Sequence, residues 1–118
     1  MNKITDRNYE SIVYISHHYS GLKENEEKVA NIINQLQEQY PKYLFLSPVH
    51  AFSYAYHEVD YQIGINMCLW LLDKCDEMWV YGEWENSRGC NMEIEYCKEY
   101  GIPFEIKVFN KQIKKEDE

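Results

Sequence analysis

Positive charge is scarce in this sequence. Twelve lysines and arginines face 20 aspartates and glutamates, for a formal net charge of −8 over 118 residues. That balance argues against a nucleic-acid polymer or an anionic membrane as partner. It leaves room for a small anionic ligand, because one helix N-terminus can outweigh a distant net charge. Long apolar runs are missing as well: no stretch approaches the roughly 18–20 residues that a membrane span needs. The cysteines Cys68, Cys75, Cys90 and Cys97 form no Cys-x-x-Cys pair. Cys68 and Cys75, like Cys90 and Cys97, are seven residues apart, two helical turns on one face. No secretory signal is read at the N-terminus. We therefore expect reduced, buried thiols and a cytoplasmic protein. Repeats and linkers are also lacking. The length suits one domain, 1–118, with a core at about 11–109 and a charged tail at 110–118.

Apolar residues make up 45% of the chain, enough for a core. Aromatics reach 15%, with eleven tyrosines and three tryptophans. Such residues either line a pocket or subunit interface, or fill a small core and its rim.

Short β-branched and aromatic runs alternate with helical periodicity. Ser11–Ser16 predicts a first strand. Asn25–Tyr40 predicts a helix, with Val29, Ile32, Ile33 and Leu36 on one face and Pro41 as its stop. Tyr43–Ser47 predicts a second strand ended by Pro48, and Val49 to about Asp60 a long loop. Tyr61–Lys74 predicts a second helix, Met78–Tyr81 a third strand, and Ser87–Tyr100 a third helix closed by a left-handed Gly101. Phe104–Phe109 predicts a fourth strand.

This β-α-β-α-β-α-β order predicts an α/β fold. It would be an open, doubly wound sheet of the flavodoxin/Rossmann-like kind, with four to five mostly parallel strands and helices on both faces. Ligands of such sheets bind beyond the carboxyl ends of the strands. That rule puts His17, His18, Ser20, His50, Asp60, Glu83, Glu85, Ser87 and Arg88 at the ligand end. Asp73, Asp76 and Glu77 fall at the other end, so Asp76 is expected at a turn or at the start of a strand.

The richest stretch is Ser87-Arg88-Gly89-Cys90-Asn91-Met92-Glu93, at the turn from the third strand into the third helix. Ser87 suits an N-cap, or, with the free N–H groups of the first turn, a phosphate contact. Arg88 offers a charge-assisted contact, and Gly89 lets a ligand approach the backbone. Glu93 shares a helix face with Cys90 and Cys97, whereas Glu95 is turned away. Side chains tilt toward the helix N-terminus, which aims Glu93 at a ligand there. A carboxylate so placed can attack or stabilise an electron-poor sugar carbon.

Tyr14-Ile15-Ser16, Ser87-x-Gly89-x-x-x-Glu93 and Gly101-Ile102-Pro103, set among four alternating strands, resemble the nucleoside 2-deoxyribosyltransferase-like superfamily. That superfamily includes the 2'-deoxynucleoside 5'-monophosphate N-hydrolases. The resemblance runs from about Ser11 to Val108. It implies Glu93 as the nucleophile and Tyr14 as the residue that orients it. It implies that Ser16 to Gly21, with His17 and Ser20, hold the 5' end of a nucleoside or nucleotide. Ser87 matches an aspartate of the transferases and a phosphate-binding serine of the hydrolases. With Arg88 and Gly89 it would bind substrate. No metal or organic cofactor is implied, and a homo-oligomer is.

The chain departs from that pattern in two places. The transferases carry an acid in the middle of the second helix, where this sequence reads Asn66-Met67-Cys68-Leu69-Trp70. His17, His18, His50 and Asp60 are left as candidates to protonate a departing base. The loop after the first strand also lacks the hydrolases' glycines. Other classes remain beside catalysis: non-catalytic sensing of a nucleotide or nucleotide-derived signal, a degenerate fold kept as an interaction surface, and a metal site drawn from His17, His18, His50 and His57 with Glu83 or Asp60. No ligand spacing here is diagnostic of the last.

Overall fold

The centre of the protein is a strand whose two faces are both buried, and this follows from its sequence. In β1 (Ser11–Ser16), Val13 and Ile15 point to one side and Tyr14 to the other, and all three are inaccessible to water. A computed structural model describes residues 8–110. The charged tail expected at 110–118 lies, apart from Asn110, outside the described residues.

The elements follow as α1 (Lys23–Gln39), β2 (Tyr43–Leu46), α2 (Pro48–Phe52), α3 (Tyr61–Asp73), β3 (Glu77–Val80), α4 (Arg88–Tyr100) and β4 (Phe104–Ile106). All strand pairs are parallel, in the order β2-β1-β3-β4. The chain leaves β1 for β2 on one side and then crosses back to β3 on the other. The expected doubly wound α/β sheet is therefore present, with four strands. Its direction switches between β1 and β3, where a crevice opens at the strands' carboxyl ends.

Two cores cover the sheet. On one face Val13, Ile15, Phe45, Trp79 and Tyr81 pack against Val29, Ile32 and Leu36 of α1. On the other, Tyr14, Met78 and Val80 pack against Leu72 of α3 and Ile94 and Cys97 of α4. Aromatics fill part of the α1 side, where Tyr40, Tyr43 and Phe45 all contact Trp79. Asp76 lies at the start of a strand, as expected, and accepts the Ile12 N–H at 2.7 Å.

Several boundaries move. The loop expected from Val49 to Asp60 contains α2 and a 3-10 turn at Ser53–Ala55. Pro48 stops β2 and also starts a helix. Ser47 caps that helix by accepting the His50 N–H at 3.1 Å, and proline at the first position gives up no intrahelical bond. The first helix begins two residues before Asn25. Asn25 is buried inside it and donates to the Tyr19 carbonyl at 2.7 Å, which ties α1 to the loop after β1. The fourth strand stops at Ile106 rather than Phe109. Among the described residues, no helix is long and apolar enough to cross a membrane.

The layering predicts how substitutions act. Leu72→Ala empties a site with no exposure and should lower unfolding free energy by about 2–5 kcal/mol. Leu44→Ala, on edge strand β2 and 47% exposed, should lower it by less than about 1 kcal/mol. Urea titration followed by tryptophan fluorescence measures both.

Candidate active site

Alternation along β1 sends Tyr14 and Ser16 to the same face, two residues apart. That is the face covered by α3 and α4. Glu93, in the second turn of α4, meets both. The Tyr14 hydroxyl donates to Oε2 of Glu93, and the Ser16 hydroxyl donates to Oε1 at 2.7 Å. Each carboxylate oxygen thus accepts one bond and keeps lone-pair capacity for more. Glu93 is 5% exposed, and that remaining surface lines a cavity of about 630 Å³ at the carboxyl end of the sheet. The volume is in the range of small-molecule sites. Glu95, two residues on, is exposed.

Burial dominates the electrostatics. It pushes the Glu93 carboxyl up to about 7, against the downward pull of the Tyr14 and Ser16 hydroxyls. Burial, then the Glu93 charge, holds the Tyr14 phenol well above its ordinary range, so Tyr14 stays a donor. The same two causes raise the Cys68 thiol to about 12.

The walls come from three segments. The turn into α4 is fixed by Ser87, whose hydroxyl accepts the Cys90 N–H at 3.2 Å. Asn91 reinforces it by donating to the Trp84 and Ser87 carbonyls at 3.0 and 2.8 Å. Arg88 is exposed and lays its guanidinium over the Tyr61 ring, 4.5 Å from the centroid. A methyl on Gly89 would find nothing nearer than the Tyr61 hydroxyl at 3.7 Å, so the protein itself leaves this helix start uncrowded. The segment between β2 and α3 contributes Tyr56 and Asp60, and α3 contributes Tyr61, Gly64, Met67 and Cys68.

The third wall is the loop after β1. His17, His18 and Ser20 line the cavity. The two histidine rings stack, 4.3 Å between centroids. They lie over Gly82, where a Cβ would come within 2.8 Å of His17 Nε2 and 3.0 Å of His18 Nδ1. Burial lowers the His17 pKa, so the ring is neutral at physiological pH.

The site residues expected from sequence divide accordingly. Glu93, His17, Ser20, Ser87, Arg88 and Gly89 all line one cavity, and Tyr14 holds Glu93 from behind. Two of the residues lie elsewhere than on the cavity wall. Ser16 is fully buried, and its hydroxyl is engaged in positioning the Glu93 carboxylate. Gly21 lies outside the cavity wall. With φ +69 it turns the chain, and a Cβ there would strike Tyr56 at 2.7 Å. Among the candidate proton donors, His17, His18 and Asp60 line the cavity and His50 does not; it faces Ser47 instead. Among the described residues, no group of three or more His, Cys, Asp or Glu is arranged to hold a metal ion. Sequence reasoning missed Tyr61, Gly82, Asn25 and Asn91. The Asn91 signal was there, an amide in the first turn after a serine cap.

The fold and site define an open parallel α/β protein with a buried, hydroxyl-held carboxylate on the floor of its switch-point crevice. The chain belongs to the family described as Domain of unknown function (DUF7768), which matches residues 11–107. No curated protein and no solved structure matches it.

Burial of Glu93 has a measurable consequence. The fold raises this acid from 4.5 to about 7, so the folded state holds a proton that the unfolded state has lost across that window. The protonated form is free of penalty below about pH 4.5, and stability then falls as pH rises through about 7. The loss is on the order of 3 kcal/mol. Glu93→Gln should remove that slope. Denaturant titrations of both proteins across the window give the difference, and parallel pH profiles would rule out a buried, titrating Glu93.

Proposed function

We propose that this protein cleaves or exchanges the N-glycosidic bond of a nucleoside or nucleoside 5'-monophosphate, with Glu93 as nucleophile. One observation carries the reading: a nearly buried carboxylate reaches a ligand-sized cavity while two hydroxyls fix both of its oxygens. A glutamate held only for structure has no need of an opening to a cavity.

In this mechanism the ionised Glu93 attacks the anomeric carbon of the sugar. The carbon–nitrogen bond breaks, and the base leaves with the bonding pair and takes up a proton. Water, or a second base, then displaces Glu93 from the sugar. Tyr14 and Ser16 keep the carboxylate in one orientation, which lowers the entropy lost in reaching the attacking geometry. Asp60, Glu83, His17 and His18 are among the cavity groups able to exchange protons with the base. The resemblance at Tyr14, Ser87, Gly89 and Glu93 supports the same chemistry.

A homo-oligomer fits the exposed Ile63 and Trp70, seven residues apart on α3. A cytoplasmic location fits four free cysteines, three of them buried. One observation favours sensing over catalysis: the part of α3 that lines the cavity, Tyr61 to Cys68, supplies no carboxylate.

Base release from nucleosides and their monophosphates, followed by chromatography, tests the reading. Activity should rise with pH through about 7 as Glu93 ionises. Glu93→Gln should lower the rate by about 1,000-fold or more. Tyr14→Phe removes one hydrogen bond to a charged group and should lower it by about 10–100-fold. Base release undiminished in Glu93→Gln would remove the nucleophile. Thermal stabilisation by a nucleoside or nucleotide with no base release would establish the sensing function instead.

A further inference from the structure

The polarity of the histidine wall is fixed by its hydrogen bonds. Nδ1 of His17 lies 2.7 Å from the His18 carbonyl oxygen. A carbonyl only accepts, so this nitrogen carries the hydrogen and Nε2 keeps a lone pair. Nδ1 of His18 faces the Glu83 N–H at 3.3 Å. An amide N–H only donates, so this nitrogen carries the lone pair and Nε2 the hydrogen. Neither Nε2 has a hydrogen-bond partner among the described residues. Every fully buried side-chain nitrogen or oxygen there does have one, so neither Nε2 is fully buried. The wall therefore offers one acceptor and one donor. A hydroxyl group, which donates once and accepts, complements that pair.

The charges around the cavity point the same way. Asp60, Glu83 and Glu93 line it, against Arg88 as the one lysine or arginine among its described lining residues. That guanidinium is already engaged over Tyr61. A phosphate dianion would meet more negative than positive charge. At the α4 N-terminus Ser87 accepts the Cys90 N–H, which leaves one donor fewer there for an anion.

We infer that the substrate is an uncharged nucleoside with a free 5'-hydroxyl, and that the His17–His18 pair selects it against the 5'-monophosphate. His17 directly follows Ser16, which bonds to Glu93, so the pair lies beside the place where a sugar would meet the nucleophile. The inference rests on the proposed N-glycosidic function and narrows its substrate.

The test pairs common deoxynucleosides and ribonucleosides with their 5'-monophosphates. Base release is measured with the wild type, and binding by calorimetry with Glu93→Gln. Nucleosides should be favoured by about 10-fold or more in kcat/KM or in affinity. His18→Ala should shrink that ratio, and His18→Gln, whose amide N–H replaces the Nε2 donor, should restore it. A purely structural role for His18 would change overall activity and leave the ratio alone. Equal or better use of monophosphates, or a ratio unmoved by His18→Ala, overturns the inference; if base release still depends on Glu93, the proposed function survives. Nucleosides that bind selectively without being cleaved uphold the inference and overturn the nucleophile. If no compound is bound or cleaved, both fall.

Discussion

The bond set between Glu93 and the hydroxyls of Tyr14 and Ser16 joins the central strand to α4 across a buried interface. A carboxylate there needs partners, because burying it unpaired is far more costly than leaving it in water. Two hydroxyls on alternate residues of one strand answer that need without introducing a second charge. They fix how closely α4 approaches β1, and with it the opening of the crevice. Cys90 and Cys97, small and buried on the same helix face, let the helix come near enough for the bonds to form. The compensation is partial, since burial still outweighs both bonds and leaves Glu93 poised near neutrality. A carboxylate held for stability alone is better placed at the surface.

The walls above Glu93 depend on backbone freedom at two glycines. Gly82, at φ +78, follows β3 in a conformation that leaves its α-carbon bare beneath the stacked histidines. Gly21 does the same under Tyr56. Asn25 fixes the intervening loop by holding the Tyr19 carbonyl from inside α1. The loop is thus tied both to the helix that follows it and to the neighbouring strand's exit. Such anchoring is what keeps two histidine rings in defined tautomers and not merely nearby.

Much of this was legible in the sequence, for identifiable reasons. Alternation of apolar strands and helical periodicity signalled the parallel doubly wound sheet. Helical spacing separated Glu93 from Glu95, and topology placed Asp76 at the wrong end for a ligand. A strand-end serine suggests ligand contact, and the Ser16 hydroxyl is instead bonded to Glu93. Its spacing of two from Tyr14 is the sign that both face the same layer. Pro48 reads as a stop to the strand, although Ser47-Pro48 is also a cap followed by a first helical residue. Strand order, and with it the company of His17, His18 and Gly82, depends on which side of β1 each crossover turns. That information is held in tertiary packing, and no local pattern carries it.

The raised Glu93 carboxyl and the scarcity of cations around it are two consequences of one environment. A nearby ammonium or guanidinium would hold Glu93 ionised, and would also welcome a phosphate. This protein holds the carboxylate with neutral hydroxyls instead, and its one lining guanidinium is stacked on Tyr61. In such a setting an anionic ligand would push Glu93 further toward its protonated, unreactive form. A neutral ligand would exclude water without adding like charge. The chemistry asked of Glu93 and the polarity of the histidine wall therefore favour the same kind of ligand, and each would be harder to explain with the other removed.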